Sequence, residues 1–309
     1  MRGGHWISLA LAAGGLFAMG AARVEPEARG MGVGQAVILG LVEGVTEYLP
    51  VSSTGHLILA QRAMGIGGAN GEKTAADAYA IVIQAGAILA VLGVYSSHMR
   101  RIVLGVAGRD REGRQLGLNL LVGFAPAAVM GLTLADAIKQ HLFSLQAVVA
   151  AWFVGGVIIL AVARFQIGHR DRGGADLLTL TWRSALVIGL AQCIAVWPGM
   201  SRSLVTIVAG VLVGLELRSA VIFSFLLGAL TLGASTVYDG LLHGELMLET
   251  YGATSIATGF IVALVSAVIA VKWMVTYLKH HGLTLFGYYR IALAVGVGIL
   301  LYLGVIDGT

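Results

Sequence analysis

Six apolar runs, each long enough to cross the hydrocarbon core of a membrane, constrain the fold of this chain more than any other feature. They lie at about 78–95, 116–138, 145–163, 219–237, 253–271 and 288–305. With 58% hydrophobic and only 12% charged residues, the chain is far more apolar than a soluble domain of this length. The sequence therefore predicts an all-α, polytopic membrane protein with six transmembrane helices.

Two further apolar segments, 33–60 and 185–215, are interrupted near their middle by proline, serine and charged residues. Non-helical backbone at membrane depth is tolerated only where protein or water satisfies its N–H and C=O groups, so we expect two re-entrant helical hairpins. Three spans separate them, which gives the hairpins opposite directions. We therefore predict a single membrane domain, 32–309, built from two inverted-topology repeats at about 32–165 and 184–309.

The charged residues outside these segments predict an orientation. Loops 96–115 and 164–184 are rich in arginine and should face the cytoplasm, whereas loop 238–252 has no Lys or Arg and should face outside. Because insertion topology accounts for the net charge of +4, we expect no nucleic-acid partner. A single cysteine, Cys193, excludes an intrachain disulfide framework. Residues 1–31 form an N-terminal extension, read equally well as a signal peptide or as an extra helix.

The two hairpins carry related polar motifs about 149 residues apart. In the first, Gly-Leu is followed by Glu43, Glu47, Pro50, Ser52, Ser53, Thr54 and His56; in the second, it is followed by Gln192, Pro198, Ser201, Arg202, Ser203 and Thr206. Unpaired polar groups are costly in hydrocarbon, so both motifs need a compensating role. A buried site for a charged ligand is one such role.

The first motif is acidic. Glu43 and Glu47 are spaced i and i+4, so on a helix their carboxylates share one face and suit a divalent cation or a shared proton. The alternative is a solvated helix face or a buried carboxyl group hydrogen-bonded to a neighbour. His56 is a candidate general base or acid, or the activator of a serine. Serine and threonine also favour helix N-caps, so at least one of the preceding hydroxyls is expected to act as a cap.

The second motif is basic. Pro198 to Ser203 precedes an apolar helix, whose N-terminal amides favour a phosphate group, and Arg202 adds a planar guanidinium that binds phosphate through two hydrogen bonds. The alternative is a structural ion pair between Arg202 and Glu47. Gln192 takes the place of Glu43 in this repeat. One hairpin is thus suited to a cation or proton and the other to an anion.

The strings Glu-Gly-Val-Thr-Glu-Tyr-Leu-Pro-Val-Ser-Ser-Thr-Gly-His, residues 43–56, and Pro-Gly-Met-Ser-Arg-Ser-x-x-Thr, residues 198–206, closely resemble the undecaprenyl-diphosphate phosphatase (BacA/UppP) family. The resemblance runs from about residue 32 to the C-terminus. It implies hydrolysis of undecaprenyl diphosphate to undecaprenyl phosphate and phosphate, recycling of the lipid carrier for peptidoglycan, dependence on Mg²⁺ or Ca²⁺, and resistance to bacitracin. It also implies a site opening to the outer face of the bacterial cytoplasmic membrane.

Matched by position, Glu43 and Glu47, which we expect to hold the metal ion, correspond to the family's essential glutamates, and His56 corresponds to its histidine. Ser53 matches its nucleophilic or phosphate-contacting serine, and Arg202 matches its diphosphate-binding arginine. The predicted supporting residues are Ser52, Thr54, Gln192, Ser201, Ser203 and Thr206. Leu204 departs from the family, which commonly has glycine there.

The expected partners are a polyprenyl diphosphate substrate and membrane lipid, with a homodimer left open. The main competing function is a transporter or flippase of a lipid phosphate or another anion, because inverted repeats with broken helices also build carriers. An intramembrane protease is a third reading, but the chain has no G-x-S-x-G elbow and gives the arginine no task there.

Overall fold

The computed structural model describes residues 30–67, 72–142, 144–167 and 174–306, and all regular secondary structure in these ranges is helical. The predicted N-terminal extension lies outside the described residues except for its last two positions. The α-helices are α1 Val33–Thr46, α2 Ser53–Ala63, α3 Glu72–Val94, α4 Ser96–Val106, α5 Arg111–Leu142, α6 Leu145–Ile167, α7 Trp182–Gln192, α8 Arg202–Leu212, α9 Leu217–Leu278 and α10 Thr284–Tyr302.

Five helices in the described part of the chain are long and apolar enough to cross a membrane: α3, α5, α6, α9 and α10. All six predicted apolar runs overlap these helices, because α9 contains two of them. The chain is therefore a multi-pass, all-helical membrane protein.

Helix α9 changes direction at Gly252, whose backbone is non-helical (φ 71°, ψ 154°). Before this residue, the Thr236 hydroxyl donates to the Ile81 carbonyl of α3, at 3.2 Å. Beyond it, the carbonyl of Ser255 accepts from the Tyr79 hydroxyl at 3.1 Å, and Gly259 lies against Ile83. Residues of α9 on both sides of Gly252 thus contact α3. A straight helix of 62 residues would extend about 90 Å at 1.5 Å per residue, three times the hydrocarbon thickness.

Two predicted loops are instead largely helical. The first, 96–115, contains α4 and the start of α5, and the second, 238–252, continues α9 up to Tyr251. In the first, Arg101 bridges the turn by pairing with Asp110 at 2.8 Å and with Glu112. In the second, half of the residues from 238 to 251 are Leu, Met or Glu, which are good helix formers, so polarity alone did not end the helix. Both segments were treated as loops from their polar residues, and both are instead largely helical.

The two interrupted segments have the same local geometry. Helices α2 and α8 begin after Ser52 and Ser201, and these are the only non-glycine residues in the described ranges with positive φ, each at 73°. Each serine side chain accepts from the amide three residues later, Gly55 at 3.5 Å and Leu204 at 3.3 Å. Such strained backbone persists only where the surroundings hold it, and it clusters at functional sites.

The broken segments lie inside the helical bundle. Gly40 of α1 packs against the backbone of Gly259 in α9, and its counterpart Gly189 in α7 packs against the backbone of Gly123 in α5. Each broken segment therefore contacts a long helix from the other half of the chain. The apolar residues around the breaks belong to the central hydrophobic core, including Tyr48, Leu49, Val51, Met200 and Leu204.

Candidate active site

The acidic and basic motifs meet directly. Arg202 donates from Nη2 to Glu47 Oε1 at 3.0 Å, and the side chains are only 10% and 6% exposed. Nη1 of Arg202 donates to the carbonyl of Ser224 at 3.0 Å, and the guanidinium lies 5.5 Å from the ring centre of Tyr48. Gly228 provides the space for this arrangement, because a Cβ atom there would overlap the guanidinium. Two strained loops from opposite halves of the chain thus form one charged centre.

Glu47 is the hub of this centre. Ser53 Oγ donates a short hydrogen bond to Glu47 Oε2, and Gln84 Nε2 of α3 donates to the same oxygen at 3.2 Å. Arg202 bonds the other carboxylate oxygen, so Oε2 accepts two hydrogen bonds whereas Oε1 accepts one and can still bind a cation. The serine proton therefore already points at a carboxylate that can accept it.

Glu43 lies one helical turn before Glu47 and is the opposite case. It is 1% exposed, and neither of its carboxylate oxygens has a hydrogen-bond partner among the described residues. A buried carboxylate without a partner is strongly destabilising unless a proton or a cation compensates it. Within the described ranges, no group of three or more His, Cys, Asp or Glu residues is placed so that it could hold a metal ion by itself. The arrangement fits a divalent cation held by Glu43 and Glu47 and completed by substrate phosphates, since one or two carboxylates suffice for such a site.

His56 lies behind the loop and is not bonded to Ser53. Its Nδ1 is 2.6 Å from the carbonyl of Ser52, and its Nε2 is 2.8 Å from the hydroxyl of Tyr289 in α10. A carbonyl only accepts, so Nδ1 carries the proton and Nε2 accepts from the tyrosine. The imidazole thereby fixes the strained carbonyl of Ser52. In this arrangement, Glu47 rather than His56 is the immediate acceptor for the Ser53 proton.

The hydroxyls of the second motif are bonded to protein groups. Ser201 caps α8 and lies 3.0 Å from Ser203, whose hydroxyl donates to the Leu49 carbonyl at 2.9 Å. Thr206 lies 2.6 Å from the Ser224 hydroxyl, and Gln192 bonds to Thr231 at 3.4 Å. The bond from Ser203 to Leu49 joins the second motif to the first.

A cavity of about 1510 Å³ extends from the charged centre. Its polar end is lined by Glu43, Ser53, Thr54 and Gln84. Its walls are largely apolar and come from α2 and α10, namely Leu57, Ile58, Leu59, Leu293, Val297 and Leu300. Arg62, Lys73, Asp77, Asp239 and His243 line another part of it. A charged head group attached to a long apolar chain matches this lining.

The predicted residues thus separate into three groups. Glu43, Ser53 and Thr54 line the cavity, and Glu47 and Arg202 form the ion pair beside it. A second group supports the loops: Ser52, His56, Ser201, Ser203 and Thr206. Gln192 is not among the cavity-lining residues and bonds to a helix of its own half.

Three residues at the site were not predicted from the sequence. Gln84 bonds Glu47, Tyr289 bonds His56, and Arg290 bonds the carbonyls of both loops. Gln84 and Arg290 lie within predicted apolar runs, where a polar side chain is a functional candidate by default. Their polarity was therefore a signal that could have identified them from the sequence. Tyr289 has no such signal, because tyrosine is common near membrane interfaces.

Comparison with known proteins gives consistent matches over the site. A sequence model of the family described as bacitracin resistance protein BacA matches residues 36–296. The chain is 43% identical over 259 residues to an undecaprenyl-diphosphatase of Sorangium cellulosum, covering 84% of this chain and 83% of that protein. It is 43% identical over 263 residues to undecaprenyl-diphosphatase 2 of Rhodospirillum rubrum, covering 85% and 93%. An undecaprenyl-diphosphatase of Methylococcus capsulatus is 41% identical over 279 residues, covering 89% and 97%.

Proposed function

The chain belongs to the BacA family of bacitracin resistance proteins, and from that premise we propose that it hydrolyses undecaprenyl diphosphate to undecaprenyl phosphate and inorganic phosphate. The observation that carries this proposal is the Glu47–Arg202 pair, which joins two strained loops beside an amphiphilic cavity. The biological role that follows is recycling of the lipid carrier for cell-wall synthesis, with bacitracin resistance as a consequence.

The placement in the membrane is part of the proposal. Six spans follow if the two parts of α9 on either side of Gly252 each cross the bilayer, and α1–α2 and α7–α8 then form the two re-entrant hairpins. The inverted repeats of about 32–165 and 184–309 would make up one membrane domain. Arginine in α4 and α5 favours a cytoplasmic location for their junction, which places the acidic segment before Gly252 on the outer face of the bacterial cytoplasmic membrane. The part of the cavity lined by Asp239 and His243 would then lie toward the outer face.

Substrate binding begins at Arg202. Its guanidinium is already engaged by Glu47, so an incoming diphosphate competes with that carboxylate for the same donors. Thr54 lines the polar end of the cavity and offers a hydroxyl to the head group. As the diphosphate takes over the guanidinium, Glu47 is released from Arg202 while its Oε2 still accepts the hydrogen bond from Ser53.

The transfer itself follows from the Ser53–Glu47 contact. The nucleophile is Ser53 Oγ or a water molecule. It attacks the terminal phosphorus while the proton of the attacking hydroxyl passes to Glu47 Oε2. The bond from that phosphorus to the bridging oxygen breaks, and undecaprenyl phosphate leaves. When Ser53 is the nucleophile, water then hydrolyses the phosphoserine and releases inorganic phosphate. His56 holds the carbonyl of Ser52 and so keeps the serine in line with the phosphorus.

Glu43 and Glu47 are the residues that would hold Mg²⁺ or Ca²⁺. When bound, such an ion neutralises charge on the phosphate oxygens. The two unpartnered oxygens of Glu43 support this assignment, because they are the buried polar atoms that a cation would satisfy.

Phosphate release by the purified protein in detergent tests the function. We expect release from undecaprenyl diphosphate that depends on a divalent cation and is absent after heat inactivation. A transporter or flippase with the same site needs no hydrolysis, so binding of the lipid without phosphate release would reject the phosphatase. Homodimer formation is a separate matter that the same preparation addresses by its mass in detergent.

A further inference from the structure

Arg290 of α10 is a buried cation outside the predicted site. Its side chain is 0% exposed, and no carboxylate in the described ranges lies within ion-pair distance of it. An unpaired buried charge is costly, so its position needs a compensating set of hydrogen bonds.

The hydrogen bonds of Arg290 all go to backbone carbonyls. Nε donates to Trp152 at 3.3 Å and Nη2 to Ala151 at 2.9 Å, both in α6. The same Nη2 donates to Gly199 at 2.8 Å, and Nη1 donates to Pro50 at 3.4 Å. Pro50 and Gly199 lie in the two strained loops. One guanidinium therefore joins both loops to the same turn of α6.

Helix α6 is shaped to receive this guanidinium. The carbonyls of Ala151 and Trp152 lie one turn before Gly155 and Gly156, where side chains are absent. A Cβ atom on Gly155 would overlap the guanidinium of Arg290. The guanidinium can reach the backbone of α6 because residue 155 is glycine and has no side chain.

We propose that Arg290 is a positioning residue that holds the two loops in register across the site. Pro50 and Gly199 each precede a reacting or binding side chain by three residues, Ser53 and Arg202. Arg290 does not line the cavity, so it acts through the loops and not on the substrate. This inference rests on the proposed phosphatase activity for its kinetic readout.

Two substitutions perturb the contact from opposite sides. Arg290→Lys keeps the charge but loses the planar set of donors, and Gly155→Ala keeps the arginine but displaces its guanidinium. Because misplacement of reacting groups by about 1 Å costs roughly 100-fold in rate, we expect each to lower kcat by about that factor. KM should change little, because the cavity lining is intact. Gly298→Ala in α10 is the matched control, since its Cβ would meet only ordinary contact with Val149, and wild-type kcat is expected.

The double variant separates positioning from general packing. Lysine has no guanidinium plane for the new methyl to displace, so Gly155→Ala should add little to the loss in Arg290→Lys. Hydrogen exchange provides a readout that does not depend on activity. Amides of 48–54 and 197–203 should exchange faster in both single variants, while those of α3 and α9 stay as protected as in the wild type.

Three results would overturn the proposal: wild-type kcat in a folded Arg290→Lys variant, multiplicative losses in the double variant, or faster exchange spread over the whole bundle. If Arg290→Lys does not fold, Gly155→Ala decides by the same two readouts. If the wild type releases no phosphate, the proposed function fails, and local exchange in the two loops still tests the role of Arg290.

Discussion

Substitution of Gly228 by alanine probes the position of the Arg202 guanidinium without replacing any charged residue. The new methyl would overlap the Arg202 guanidinium, the flexible end of a side chain, so the guanidinium moves and the helix does not. Its bonds to Glu47 and to the Ser224 carbonyl, both 3.0 Å long, then lengthen or break. A hydrogen bond to a charged group contributes about 1.5–3 kcal/mol, and each 1.4 kcal/mol is tenfold, so kcat/KM should fall by about 10- to 150-fold.

Two effects of the substitution on stability oppose each other. Gly228 lies in the interior of α9, where alanine is favoured over glycine by up to about 1 kcal/mol. Loss of the buried bonds of Arg202 costs about 1.5–3 kcal/mol each and outweighs that gain, so the melting temperature should fall together with the activity, while a single cooperative unfolding transition shows that the fold is retained. The assay is phosphate release from undecaprenyl diphosphate in detergent across a range of substrate concentrations, with thermal unfolding measured on the same preparation.

Gly233→Ala is the control, because its Cβ meets nothing within 4 Å on the same helix. It should keep wild-type kcat/KM. The reasoning is refuted if Gly228→Ala also keeps wild-type kcat/KM, or if both variants lose activity equally.

Three further predictions concern residues around the site and at the turn between α4 and α5. Glu43→Gln removes a buried carboxylate that has no hydrogen-bond partner among the described residues, so we expect an unchanged or raised melting temperature. We also expect that Mg²⁺ or Ca²⁺, added back after chelation, no longer restores activity in this variant. Restoration to the same extent as in the wild type would contradict this. Tyr289→Phe removes the donor to His56 Nε2 and should cost about 1 kcal/mol of stability, read from denaturant unfolding, and no change would place the hydrogen bond in doubt. The Arg101 guanidinium, together with a backbone amide, holds the pKa of Asp110 below its usual range. The Asp110 carboxylate therefore stabilises the fold fully at pH values above the ordinary aspartate pKa of about 3.9, and this contribution is lost as the pH falls through the lower pKa of the folded state. Asp110→Asn should thus lower the melting temperature at pH 7 but not in strong acid, and an equal loss at both would contradict the pairing.

The acidic and basic motifs were predictable because hydrocarbon makes polar side chains conspicuous. Glu43, Glu47, Ser53 and Arg202 stand out in apolar segments, and the repeated spacing predicted that their loops approach each other. The ion pair at 3.0 Å between Glu47 and Arg202 agrees with that expectation. The contacts of His56 were not predictable in the same way, because a sequence shows that a histidine is near a serine but not which atoms its nitrogens face, here the Ser52 carbonyl and the Tyr289 hydroxyl.

The residues that were missed act through contacts distant in the chain. Tyr289 reaches His56 across 233 residues, and Arg290 reaches Pro50 across 240. No local pattern encodes such pairs. Loop 238–252 was mispredicted for a related reason, because polarity indicates exposure to water whereas helix continuation depends on backbone preference, and only Gly252 interrupts it.

The central claim is that the two loops form one catalytic centre through Glu47 and Arg202. Single-turnover phosphate release, measured for Glu47→Gln, Arg202→Lys and the double variant, tests it most directly. The account predicts that each single change lowers the rate by at least about 100-fold, as for loss of a group that stabilises transition-state charge, and that the double variant is little worse than the poorer single one. Near-normal turnover in both single variants, or losses that multiply in the double, would contradict it.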